Sequence, residues 1–244
     1  HQANTFCFAL VYFHPPDFDQ MDNVLECICA HRDFDKKPVG VKLAPYFDMP
    51  HFTKVCQILA KYPIAFVTCI NAIGNALFVD IDTESACIAP KGGYGGLGGG
   101  YVKQTALANV KKISEGLADE GREDIDVIGV GGVSSGADAF EMILCGAKAV
   151  QVATVHWTEG STCFARINAE LRALMDKKGY RSIEEFRGKL KPYVKGQKRR
   201  QVSNSLGPSS SREGFLHVTI VALLGVIVAL LLNRSISCSD VETE

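Results

Sequence analysis

A chain of 244 residues with 47% hydrophobic side chains is long enough to bury one large core or two modest ones. Its 26 basic and 27 acidic side chains leave a formal charge of −1, so no overall field draws it onto nucleic acid, and none is expected as a partner. Nine cysteines, odd in number, lack any C-x-x-C pair and sit mostly in apolar runs, as Cys56, Cys69 and Cys145 do, which suits a reducing compartment.

The chain begins at His1 and its first methionine is Met21, so the start reads as a processing product or an incomplete gene model. Residues 5–13 (TFCFALVYF) are apolar but too short to span a bilayer and have no basic leader; they read as a strand, and 1–14 as a divergent N-terminal segment. Cys27 and Cys29 form a C-x-C with no second ligand pair at zinc spacing, so buried thiols are expected there and no metal.

From 15 to 193, short β-branched runs alternate with helical patterns, the signature of parallel strands joined by crossover helices in an α/β domain. Strands are predicted at Val39–Leu43, 65–70, 127–130 and 150–154, each nearly continuously apolar, as strands covered on both faces are. After the third of these, Ser134 or Ser135 can cap a helix whose Phe140, Ile143 and Leu144 share a face and whose stop suits Gly146. Between 70 and 127 lies an excursion with Leu77-Phe-Val-Asp80 and Ser85-Ala-Cys-Ile88, read as a hairpin. It precedes a glycine-rich run, Gly92 to Gly100, read as a flexible loop able to close over a planar ligand; lacking a Lys-Ser/Thr ending, it gives a nucleoside triphosphate site no support.

Residues 194–214 turn basic and serine-rich, too poor in apolar groups to join a core, and read as a flexible linker. Residues 215–232 then run without a formal charge for about 18 residues, ~27 Å at helical rise, enough for a thin bilayer. A transmembrane helix is expected there, followed by a short acidic tail at 233–244. Basic residues before it and Asp240, Glu242 and Glu244 after it place the main domain on the cytosolic side, as a tail anchor.

The passage most informative about chemistry is Ile128-Gly-Val-Gly-Gly-Val-Ser-Ser-Gly136, where a strand ends in glycines and leads into a helix. Gly131 and Gly132 let a phosphate approach backbone amides, and the helix offers unsatisfied N–H groups and the positive end of its dipole. One unit later, Val150-Gln-Val-Ala-Thr154 ends in a small residue and a hydroxyl, a second donor for the same phosphate. Two successive strand ends cooperating this way describe the phosphate site after the seventh and eighth strands of a β/α barrel. Gly132-Val-Ser-Ser-Gly136 also matches the G-x-S-x-G nucleophile elbow, but His156 follows too closely and His217 sits at the mouth of the apolar run, so a hydrolase triad is not supported. Lys42 ends its strand, so its ammonium should project at a barrel mouth, where it is costly without an anion; Asn71 follows the next strand, where its amide can donate and accept.

Residues 18–193 resemble the class 1A, fumarate-dependent dihydroorotate dehydrogenases, through Gly40-Val-Lys-Leu-Ala-Pro-Tyr-Phe-Asp48, Asn71-Ala-Ile-Gly-Asn75, Gly95-Gly-Leu-Gly-Gly99, Thr105-Ala-Leu-Ala-Asn-Val110, Gly131-Gly132 and Lys178-Gly-Tyr-Arg-Ser-Ile-Glu-Glu-Phe186. The resemblance implies the C-terminal half of a TIM (β/α)8 barrel, with FMN as cofactor, dihydroorotate and orotate as substrate and product, fumarate as acceptor, and a homodimer. It implies that Lys42 contacts the pyrimidine end of the flavin, that Asn71 hydrogen-bonds the orotate ring, and that Gly99, Val130, Gly131, Gly132, Ala153 and Thr154 line the flavin and its phosphate. Family members carry glycine where this chain has Ala153, so a methyl group would tighten one approach to the cofactor. The family's Asn-Leu-Ser-Cys-Pro-Asn loop is not found, and Cys7 in Asn4-Thr-Phe-Cys-Phe-Ala9 is not given its catalytic role. The expected function is dihydroorotate oxidation in pyrimidine synthesis; the alternative is a catalytically silent, membrane-tethered flavin-binding module.

Overall fold

The computed structural model describes residues 7–9, 17–32, 34 and 37–195. The expected span at 215–232, the acidic tail and all but the first two residues of the expected linker lie outside the described residues. Among those described, no helix is long and apolar enough to cross a membrane.

The chain opens with β1 (Cys7–Ala9) and α1 (Phe18–Cys29), where the Asp17 carboxylate accepts from Gln20 N at 2.8 Å and so satisfies an otherwise orphaned first-turn donor. β2 (Val39–Leu43) follows, and then α2 (Met49–Ala60), which Asp48 caps in the same way through His51 N. Phe52, Val55, Cys56 and Leu59 of α2 are buried at three- and four-residue spacing, the stripe an amphipathic helix turns to a core. β3 (Phe66–Cys69) is buried at every position.

Residues 74–97 form a compact unit of their own. There β4 (Ile73–Leu77) pairs with β7 (Tyr94–Leu97), and β5 (Val79–Asp80) with β6 (Ser85–Ala86), so the expected hairpin is present but short. The glycine run is not the flexible loop expected from its composition. A β-carbon at Gly95 would lie 2.9 Å from Ile88 Cδ1, and one at Gly93, at φ +104, 2.6 Å from Ala86 Cβ. These glycines permit close packing against the hairpin.

The chain returns through a 3-10 turn, Gly99–Val102, into α3 (Lys103–Asp119), β8 (Asp126–Val130), α4 (Gly136–Leu144), β9 (Ala149–Gln151), the short α5 (Thr154–Glu159) and α6 (Thr162–Lys178). Five strands make one parallel sheet in the order β1-β2-β3-β8-β9. The last strand is shorter than the expected 150–154: Ala153 leaves extended geometry at φ −125, ψ −73, and Thr154 already begins α5.

Pairing register separates the sheet's two faces. Val41, Val67 and Val127 form one row, and Leu43, Cys69 and Gly129 the next row on the same face. Helices cover that face: a β-carbon at Gly129 would meet Met142 Sδ at 3.1 Å and Ala147 Cβ at 3.3 Å, and Cys56 Sγ of α2 contacts Ile113 O of α3. The opposite face carries the row Lys42, Thr68, Ile128 and Ala149, with Val130 and Gln151 above it. Among these only Thr68 is fully buried, and Ala149 is exposed. This is the face that points inward when such a sheet curls into a barrel.

Candidate functional site

Two neighbouring strand ends build the site. β8 stops at Val130, whose carbonyl accepts from Ile70 N at 3.0 Å, and the chain turns through Gly131 at φ +128 and Gly132 at φ +74. Both angles lie where a β-carbon is strained, and neither residue has room for one. It would lie 2.8 Å from Ala106 Cβ at Gly131; at Gly132 it would lie 2.6 Å from Lys103 Cβ and 3.0 Å from Gly99 O. The glycines are therefore demanded by the packing of the α3 entry beneath them as well as by any ligand above.

β9 pairs in parallel with β8, so its own end lies next door. Gly99, at φ +65, bridges the two corners: its carbonyl abuts Gly132, and a β-carbon on it would lie 3.3 Å from Thr154 Cγ2. Gly99, Gly132 and Thr154 thus converge. Among the described residues, no acceptor engages the amides of Gly131, Gly132 and Val133 at one corner or of Ala153, Thr154 and Val155 at the other. Amides without a protein acceptor at two adjacent strand ends are donors of the kind that suits a phosphomonoester. Ala153 has φ −125, outside the left-handed region that favours glycine, so its backbone conformation does not demand a glycine at the corner.

The donor field differs from the expected one in one respect. The amides at the start of α4 were expected to face the anion, but protein side chains engage several amides there. Asp138 Oδ2 accepts from Ser134 N at 2.9 Å, Glu170 Oε2 from Gly136 N at 2.7 Å, and Ser135 Oγ from Asp138 N at 3.2 Å. A helix start left unsatisfied would be costly, and here side chains answer it. Ser134 Oγ donates to Asp138 at 2.9 Å, so the residue at the centre of the G-x-S-x-G match is engaged by a carboxylate and not by a histidine.

Lys42 stands fourth in β2, half-buried on the inward face beside Thr68 and Ile128, with no carboxylate in ion-pair range among the described residues. Loss of hydration lowers the pKa of its ammonium, only partly offset by the nearby Cys69 thiol. Thr68 Oγ1, next in the row, is buried without a hydrogen-bond partner. One strand end away, Asn71 N donates to Leu43 O at 2.8 Å, fixing the residue over the end of β2, while its carboxamide has no partner among the described residues. Lys42 and Thr68 put a desolvated cation and an orphaned hydroxyl on one sheet face, and Asn71 adds an unpartnered carboxamide at the neighbouring strand end, groups that suit an anionic, acceptor-rich ligand.

The family profile for dihydroorotate dehydrogenase matches residues 16–175. The chain belongs to the dihydroorotate dehydrogenase family. Similar curated proteins are a dihydroorotate dehydrogenase (fumarate) of Kluyveromyces lactis, 51% identical over 175 residues, covering 72% of this chain and 53% of that protein. One of Saccharomyces cerevisiae is 51% identical over 174 residues, covering 71% and 53%. A probable dihydroorotate dehydrogenase A (fumarate) of Enterococcus faecalis is 53% identical over 158 residues, covering 65% and 50%. The chain spans about half the length of these relatives. Among solved structures, DHODH of Eimeria tenella in complex with ferulenol matches with a TM-score of 0.50 at 20% identity, over 62% of this chain and 38% of that one. The ligand-free form matches equally well over 63% and 40%; at that identity both bear on the fold alone. Together with the parallel sheet, they establish that this dihydroorotate dehydrogenase family chain has the β/α-barrel fold in the portion described.

Around these strand ends the structure also places residues that the motifs did not single out. Asp138 is buried, and burial pushes its carboxyl pKa up, but bonds from Lys103, Ser134 and Ser135 outweigh that and hold it below the usual carboxylate range. The spacing of Ser135 and Asp138, three apart at a helix start, was the available signal. Lys103 and Thr68 left no comparable trace, since the first follows an unremarkable turn and the second sits in a plain apolar run.

Proposed function

We propose that this chain supplies the flavin-holding portion of a fumarate-dependent dihydroorotate dehydrogenase, oxidising dihydroorotate to orotate in pyrimidine synthesis. The observation that carries the reading is the convergence of the β8 and β9 ends on Gly99, with unaccepted amides at both corners. Bound FMN would supply a hydride acceptor for C6 of dihydroorotate and pass the electrons on to fumarate. Its phosphate suits the amides of Gly131, Gly132 and Thr154, with Gly99, Val130 and Ala153 forming the wall beside it. Lys42 then places a positive charge at the pyrimidine end of the isoalloxazine, where a desolvated ammonium gains most from negative charge. Asn71, held by its backbone bond to Leu43, offers both a donor and an acceptor to the orotate ring. No residue of this chain is assigned as the base that takes the C5 proton; Cys7 lies in β1, and its side chain is outside the described residues.

The barrel portion is taken as residues 15–193, and a homodimer is a further part of the proposal, carried by the family resemblance alone. Attachment to a membrane through 215–232, with the barrel portion facing the cytosol, is proposed on the sequence of that segment alone. The test is to titrate the full chain with FMN and then to follow dihydroorotate-dependent fumarate reduction. Saturable FMN binding with turnover is the expected result. Binding without turnover would leave a silent flavin module, and no binding would overturn the assignment.

A further inference from the structure

Beside the proposed phosphate cradle, one buried acidic side chain makes several connections. Asp138 Oδ2 accepts from Ser134 N and Ser134 Oγ, each at 2.9 Å, and from Ser135 Oγ at 2.8 Å. Its Oδ1 takes the Lys103 ammonium, which also meets Glu141 Oε2 at 2.7 Å. Lys103 is the first residue of α3, and its Cβ lies against Gly132, directly below the turn. One carboxylate therefore fastens the segment that follows Gly131 and Gly132 and, through Lys103, the segment that begins at Gly99. These segments carry most of the corner described above.

A carboxylate at such a position is electrostatically unhelpful. It sits at a helix start close to where a phosphate dianion is proposed to bind, and like charges there repel. Its presence makes sense if geometry outweighs charge: amides that must converge on one anion lose affinity when the turn holding them relaxes.

We propose that Asp138 is a positioning residue for the flavin phosphate, holding the Gly131–Gly132 turn and the Gly99 segment in register so that their amides converge. The proposal rests on the FMN reading of the site, and its test separates the two. The two ideas about Asp138 predict effects of opposite sign. A mere neighbouring negative charge, once neutralised in Asp138→Asn, would leave phosphate binding tighter, the more so because Lys103 then keeps only one of its two carboxylate partners. A positioning residue, once its three-way acceptor and ion pair are weakened, would leave it looser.

The experiment measures dissociation constants for FMN and for riboflavin, by quenching of flavin fluorescence, on the full chain and its variants. Riboflavin lacks only the phosphate, so the ratio of the two constants reports the cradle and is insensitive to general loosening of the fold. Asp138→Asn is expected to weaken FMN by about tenfold, the scale of lost charge-assisted hydrogen bonds, with riboflavin nearly unchanged. Ser134→Ala, which removes one bond and keeps the ion pair, is expected to give a smaller loss of the same sign and guards against a variant that fails to fold. FMN binding equal to or tighter than wild type in Asp138→Asn, or an equal loss for both flavins, overturns the positioning role. A wild-type chain that does not prefer FMN to riboflavin overturns the phosphate cradle itself, and the role of Asp138 with it.

Discussion

Replacing Gly132 with alanine should damage the fold and the site together, by an amount the structure allows to be divided. Gly132 has φ +74, and an L-residue there costs about 1–2 kcal/mol through contact of its β-carbon with the following carbonyl. The β-carbon would also lie 2.6 Å from Lys103 Cβ and 3.0 Å from Gly99 O, one of them a backbone atom that cannot swing aside. Overpacking of that kind adds about 1–3 kcal/mol. Gly179 provides the control, since it has φ +77 in the left-handed region but nothing within 4 Å of its added β-carbon. Gly179→Ala should therefore cost only the conformational part, about 1–2 kcal/mol, and Gly132→Ala roughly 2–5 kcal/mol. At about 2–4 °C per kcal/mol for a chain this size, the overpacking of about 1–3 kcal/mol should make the second variant melt roughly 2–12 °C below the first. Urea unfolding midpoints measure both, and FMN titration should show a loss only for Gly132→Ala, because only there does Gly99 have to move away from Thr154. Equal destabilisation in the two variants would refute the packing argument, and unimpaired FMN binding by Gly132→Ala would refute the claim that this turn forms the cradle.

Two further substitutions or truncations have expected outcomes, the first from the structure and the second from the sequence of 215–232. Lys42→Met should stabilise the ligand-free chain at neutral pH while weakening flavin binding, because it removes a desolvated, unpaired ammonium. Since folding lowers the pKa of Lys42, the unfolded chain binds the extra proton; wild-type stability relative to Lys42→Met should rise as pH climbs through the lowered pKa towards 10.5, and a gap that widens instead would contradict the assignment. Deleting the residues after Gly214 should move the protein from the membrane pellet to the supernatant on fractionation; an unchanged distribution would end the anchor proposal.

Much of this architecture was legible in the sequence because parallel strands buried on both sides announce themselves as apolar runs. Val39–Leu43 was read to the residue, and β3 and β8 to within one or two at an end. The cap at Ser135, the buried face of Phe140 and Ile143 and the stop at Gly146 likewise follow from local chemistry, as does the glycine pair at 131 and 132. Local rules suffice where a residue's role is played out within a turn or two of chain.

What required the tertiary structure is every role shared between distant segments. No periodicity links Gly99 to Thr154 or Lys103 to Asp138, yet these pairs shape the corner. The same holds for the helix start at Ser134 to Asp138: its dipole suggested an anion site, but a glutamate 34 positions along the chain from Gly136 already occupies one amide there. The glycine run at 92–100 shows the reverse error, since composition spoke for flexibility while packing against Ile88 and Ala86 made part of it a strand. Sequence determined which backbone positions are free of side chains; only the folded sheet, by setting β8 beside β9, decided which of those positions come next to each other at one corner.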